Sequence, residues 1–127
     1  LMELESEDAV RQLAPDLAAI AALTQATDAV GLAVFGRAPS GTGHQLAVRA
    51  FCPADNIPED PVTGSVNACI AAALQAAGTL PGDDGSYIAS QGRELGRDGR
   101  VALRVDEEGE VWIGGQVQLV IDGRMTW

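Results

Sequence analysis

Glu59-Asp60-Pro61-Val62-Thr63-Gly64-Ser65 runs straight into Val66-Asn67-Ala68-Cys69-Ile70-Ala71-Ala72-Ala73-Leu74-Gln75-Ala76-Ala77, a stretch without a single charge. Ala, Leu and Gln favour helix, Ser65 is a good N-cap and Gly78 a stop, so start, body and end agree on one helix. Small or apolar residues stand at nearly every position around it, which predicts a central core helix reached only through its leading turn. At that turn the backbone N–H groups of Gly64, Ser65 and Val66 lack acceptors within the helix. Together with the positive end of the helix dipole they make a place for a carboxylate or phosphate. Asp60-Pro61, Thr63-Gly64 and Ser65 are also ordinary turn and cap residues, and a structural role alone satisfies the local physics. Asp60, Thr63 and Ser65 nevertheless bring more donors and acceptors than one cap needs, and Gly64 lets a ligand approach the backbone. A small anionic ligand is the functional reading.

Outward from this segment the chain alternates short elements. Leu1 to Glu5 reads as a strand, Ser6 starts an acidic helix running to about Leu13, and Pro15 ends it. Asp16 to Leu23 reads as a second short helix with a polar exit over Thr24 to Asp28. Ala29–Arg37 and His44–Phe51 read as a hairpin across the Pro/Gly-rich loop from Ala38 to Gly43. In the second strand Leu46, Val48 and Ala50 share one face and Gln45, Ala47, Arg49 and Phe51 the other, which predicts a sheet packed on both sides or curved. Beyond the helix, Ser86–Ser90, Arg100–Asp106, Glu110–Ile113 and Gln116–Ile121 read as strands, the last three an antiparallel meander. The sum predicts an α+β domain over residues 1–127, with a curved, mostly antiparallel, barrel-like sheet wrapped around one long central apolar helix.

Composition narrows the function. The chain has 127 residues, 46% apolar, with a formal charge of −10 and no basic run. That balance argues against nucleic acid and anionic membranes, and an acidic cytoplasmic protein is expected. Every basic residue is arginine, so Schiff-base and pyridoxal chemistry has no lysine in this chain. Cys52, Cys69 and the single histidine, His44, form no ligand pattern, and no metal is expected. Both cysteines read as free thiols, Cys69 as a small buried hydrophobe, and His44 as an ordinary strand or surface residue.

Arg49-Ala50-Phe51, the Glu59–Ser65 stretch, Ser90-Gln91-Gly92, Gly96-Arg97 and Val111-Trp112-Ile113-Gly114-Gly115 together resemble the phenazine-biosynthesis (PhzF-type) isomerases and epimerases, which share the diaminopimelate-epimerase fold. The resemblance implies a protein of two similar domains with a cleft between them, this chain being similar to the second. It implies a cofactor-independent transfer of a proton between carbons of a small carboxylic acid, as in the isomerisation of trans-2,3-dihydro-3-hydroxyanthranilate. By the same likeness Asp60 is the acidic catalytic group, Ser65 a catalytic hydrogen-bond donor beside it, and Thr63 and Gly64 hold the substrate carboxylate. Ser65 stands near the place of the cysteine in diaminopimelate epimerases, which disfavours a thiol mechanism.

The family's catalytic glutamate and its Gly-His-Pro segment are absent from this chain, and Arg97 is followed by Asp98-Gly99 where Pro-Ser is usual. With Leu1 at the start, a fragment is expected, whose partner is its own N-terminal domain. Two other readings stay open: a stand-alone, non-catalytic small-acid-binding domain, and a homodimer of single domains.

Overall fold

Leu46–Cys52 is the hub of the structure, a strand (β3) whose alternating side chains serve two separate cores. Leu46 and Val48 point to one side of the sheet, where they meet Phe35, Ile70, Leu74, Tyr87 and Leu103. Ala47 and Phe51 point to the other and meet Val10, Ile20 and Val34. The expected two-sided sheet is therefore present, and helices cover both faces.

The computed structural model describes residues 1–126. In chain order they form β1 (Met2–Glu3), α1 (Glu7–Gln12), α2 (Leu17–Thr27), β2 (Leu32–Arg37), β3, β4 (Ile57–Asp60), α3 (Gly64–Ala76), β5 (Ser86–Gln91), β6 (Gly99–Val105) and β7 (Val111–Gly114). The seven strands make one sheet in the order β1-β2-β3-β5-β6-β7, with β4 also paired to β3. The pairs β1–β2 and β3–β5 are parallel and the others antiparallel. The fold is α+β with a mixed sheet. β3 meets β5 through Leu46–Val48 and β4 through Ala50 and Cys52. At the carboxyl ends of the parallel pair, the chain turning from β4 into α3 is thus wedged beside the end of β5.

Three expectations are corrected. The sheet is open among the described residues, ending at β1 and β7, so it is no closed barrel. Gln116–Ile121 forms no strand: nothing pairs beyond β7 to take its backbone groups, and Val117, Leu119 and Ile121 are 94%, 78% and 84% exposed. The helix α3 is not enclosed. It buries Asn67, Ile70, Ala71 and Leu74 on one face and leaves Cys69, Ala72, Ala73 and Ala76 open, so Cys69 is an exposed thiol. Its alanine-rich composition reads as apolar all round, but the sheet covers only one side.

Smaller differences have local causes. α2 continues through Thr24 to Thr27, whose hydroxyls donate back to the carbonyls of Ala21 and Leu23 (3.1 and 2.8 Å) and so find partners inside the helix, and Asp28 then closes it in the left-handed region. Ser6 and Asp16 cap α1 and α2 by accepting from Ala9 and Ala19 N–H groups. α3 stops at Gly78, as the sequence indicates: at φ +67° its N–H reaches Gln75 O while Thr79 N–H reaches Leu74 O. The strand β4 was not foreseen from the sequence.

Candidate functional site

The N-cap of α3 is Thr63, two residues ahead of the expected Ser65, which lies inside the first turn. Thr63 does not cap with its side chain. Its hydroxyl is 2.7 Å from Asp60 Oδ2 and donates there instead. Among the described residues the N–H groups of Gly64, Ser65 and Val66 have no side-chain cap. Space in front of them is open: a Cβ on Gly64 would meet nothing within 4 Å, and Ser65 is exposed. Beside this helix start lies a cleft of about 360 Å³, lined by Val62, Gly64, Arg100, Ile113, Gly114 and Gln116 among others.

Two residues with no role assigned from the sequence, Gln91 and Asn67, hold the turn. Both are buried, at 0% and 1% exposure. Gln91 Oε1 accepts from Thr63 N–H (3.1 Å) and from Asn67 Nδ2 (2.9 Å), while Gln91 Nε2 donates to Asp60 O and Thr63 Oγ1, both at 2.9 Å. Asn67 Nδ2 also donates to Thr63 O at 2.9 Å. Gly92 follows at φ +85°, and a Cβ there would sit 2.3 Å from Pro61 O, so only glycine lets β5 end this close to the turn. The signal in the sequence is Gln91 itself. A polar residue ending an apolar strand next to glycine, and an asparagine in an otherwise apolar helix, are the marks of a buried polar pair.

On the far side of the sheet lies a charged cluster. Arg49 forms a two-pronged pair with Glu59 (Nε–Oε1 and Nη2–Oε2, both 2.8 Å) and donates through Nη1 to Leu13 O (2.6 Å) and Val10 O (3.3 Å), tying α1 to β4. The hydrogen bond to Glu59 holds the guanidinium above its ordinary value. His44, expected as an ordinary strand or surface residue, is buried at 4% exposure. Its Nε2 faces Glu7 Oε1 (3.0 Å), and its Nδ1 lies 2.8 Å from Arg100 Nη1. The Glu7 carboxylate accepts from Nε2–H, while Nδ1 stands between a donor, Arg100, and an acceptor, Thr42 O at 3.2 Å, so its contacts fix no single tautomer. Arg11 binds the same carboxylate. Burial raises the Glu7 carboxyl, but hydrogen bonds and charge from His44 and Arg11 outweigh it and hold the group below its ordinary value of 4.5. Cys52, on the strand beside Asp60, has its thiol pushed up by burial and by the charges of Asp55 and Asp60.

The structure therefore brings Asp60 and Thr63 into contact and sets Gly64 and Ser65 at the open helix start. It records no hydrogen bond between Ser65 and Asp60. No helix is long and apolar enough to cross a membrane among the described residues.

Residues 1–123 match the family described as phenazine biosynthesis-like protein (PhzC-PhzF). A curated uncharacterized isomerase of Deinococcus radiodurans is 38% identical over 109 residues, 81% of this chain and 34% of that protein. Escherichia coli K12 has one, YddE, 35% identical over 108 residues, 83% of this chain and 35% of its own length. The chain thus spans about a third of the length of these bacterial relatives. Solved PhzF-family phenazine biosynthesis proteins share the fold. The one from Bacillus anthracis superposes with a TM-score of 0.67 at 21% identity over 88% of this chain and 40% of its own. That from Enterococcus faecalis does so at 0.62 and 26% identity over 92% and 43%.

Proposed function

The chain belongs to the phenazine biosynthesis-like (PhzC-PhzF) family, and from that premise we propose that it is the substrate-binding half of a cofactor-independent isomerase. The reaction is a proton shift on a small carboxylic acid, similar to that of trans-2,3-dihydro-3-hydroxyanthranilate isomerase. Asp60 is the acid/base group, Ser65 donates to the charge that develops on the substrate and Gly64 helps hold its carboxylate; Thr63, whose N–H and hydroxyl already donate to Gln91 and Asp60, serves the site by holding Asp60 instead of the carboxylate expected for it. The observation that carries this reading is the helix start of α3. Its Thr63 hydroxyl is committed to Asp60 at 2.7 Å, which leaves uncapped N–H groups facing open space beside a carboxylate. Donors at a helix N-terminus stabilise an enolate-like charge, and a fixed carboxylate can take and return a proton.

We further propose that the rest of the protein, or failing that a second copy, covers the open side of α3 and the exposed segment after Gly115. Val117, Leu119, Val120 and Ile121 are each at least 78% exposed, more apolar surface in one stretch than a lone domain tolerates. We place the protein in the cytoplasm.

The test is solvent deuterium incorporation into trans-2,3-dihydro-3-hydroxyanthranilate and a panel of small amino and hydroxy acids, using the full-length parent and this chain. Exchange by the parent that Asp60→Asn abolishes and Ser65→Ala slows is the expected result. Wild-type exchange rates in Asp60→Asn would remove Asp60 from the mechanism. Exchange by neither form, with calorimetric binding of a small acid retained, would favour a non-catalytic binding domain. Solution mass of the chain alone separates monomer from homodimer.

A further inference from the structure

We infer that Gln91 is a positioning residue for Asp60, acting through Thr63 by fixing which way one hydroxyl proton points. The inference rests on the proposed role of Asp60 and adds to it a residue and a device. It follows from hydrogen-bond polarity alone.

Asn67 Nδ2 lies 2.9 Å from Thr63 O, which can only accept, so the Asn67 amide has one possible orientation. That nitrogen also lies 2.9 Å from Gln91 Oε1, and Thr63 N–H, which can only donate, is 3.1 Å from the same oxygen. At the other end Gln91 Nε2 faces Asp60 O, again an acceptor only. Both ends of the Gln91 amide are therefore determined independently and agree. The second Nε2 proton has one remaining target, Thr63 Oγ1 at 2.9 Å. Because that hydroxyl accepts from Gln91, its own single proton goes to the other neighbour, Asp60 Oδ2 at 2.7 Å. All donor and acceptor positions of Gln91 are then used.

The consequence for Asp60 is an asymmetry between its oxygens. Oδ2 is committed as an acceptor from Thr63, while Oδ1 has only a long 3.4 Å contact from Val62 N–H among the described residues. Oδ1 is left for the ligand. Gln91 never touches the substrate in this arrangement; it sets the polarity of a two-bond chain and locks the backbone on either side of it. Two neutral amides hold the chain, so its direction does not depend on their protonation.

Gln91→Glu tests this with almost no change of shape, because it replaces the Nε2 donor by an acceptor. The Thr63 proton should then turn from Asp60 to residue 91. Two measurements on the full-length protein read it. The first is proton NMR of the Thr63 hydroxyl, with its coupling to the Asp60 carboxyl carbon. The proton should be sheltered and coupled in wild type, and uncoupled in Gln91→Glu. A hydroxyl exchanging at solvent rate in wild type, or one unchanged by Gln91→Glu, overturns the inference whether or not the protein turns over any acid. The second is a cycle of deuterium-exchange rates with Thr63→Val, which removes the hydroxyl even if Gln91→Glu folds poorly. Each single variant should lower the maximal exchange rate roughly 10- to 100-fold with KM changed less, and the double variant should be no slower than the worse single one. Multiplying rate losses would mean that Gln91 acts only on stability. Sheltered, coupled hydroxyl signals with no exchange of any acid would keep the device and discard the isomerase reading.

Discussion

Glu59 and Asp60 are neighbours on β4, and Ser90 and Gln91 are neighbours on β5, yet each pair is divided between two different polar environments. Glu59 meets Arg49 and Ser90 accepts from Arg11, both on the face covered by α1. Asp60 and Gln91 turn to the other face, toward Thr63 and Asn67 at the start of α3. Strand alternation alone makes this division. The α1 face is held by ion pairs, whereas the groups that hold the turn around Asp60 on the α3 face are neutral, although Arg100 and Asp98 line the cleft beside it. One sheet can thus be anchored from behind by ion pairs while the turn in front is held by hydrogen bonds from uncharged side chains.

Breaking the charged side should have the largest effect. Arg49→Ala leaves the largely buried Glu59 carboxylate without its partner and frees the end of α1. It should cost about 3–5 kcal/mol in a denaturant melt. A loss below about 1 kcal/mol would show that the pair is solvated and that α1 is anchored otherwise.

Glu7→Gln is milder and reveals the difference in pH response. The Glu7 carboxyl lies below 4.5 when folded, so its contribution is fully present above that value and is lost as pH falls through the lower folded one. At neutral pH the variant should be about 1.5–3 kcal/mol less stable. The gap should close progressively in acid below 4.5. A gap that stays constant through this range would rule out the carboxylate as its source.

Tyr87→Phe sharpens the neutral side with the smallest change. The Tyr87 hydroxyl is buried against the α3 core without a hydrogen-bond partner among the described residues, and burial pushes its titration up to about 12. Removing it should stabilise the protein by up to about 1 kcal/mol. A comparable loss instead would indicate that the hydroxyl finds a bridging water.

Local chemistry made part of this legible in advance. The helix following Thr63, its end at Gly78, the hairpin partners β2 and β3 and the two faces of β3 are all short-range consequences of propensity and period. The Glu59–Ser65 motif likewise pointed to Asp60 and Thr63. The cap position was misread because Ser65 and Thr63 are both good caps, and only the approach of β4 and Gln91 selects Thr63. His44 and Glu7 are 37 residues apart in the chain. Nothing local predicts that they meet, so the burial of His44 against Glu7 could not be read from the sequence.

By itself, then, the sequence determined the α+β class, the main elements and the carboxylate at a helix start, since these follow from neighbours within a few residues. Tertiary structure alone decided that Gln91 and Asn67 lock that turn, that the charges gather on the opposite face, and that the sheet stays open with α3 half uncovered. Those outcomes depend on strand order and register, which bring distant residues together through backbone pairing and burial and leave no trace in local spacing.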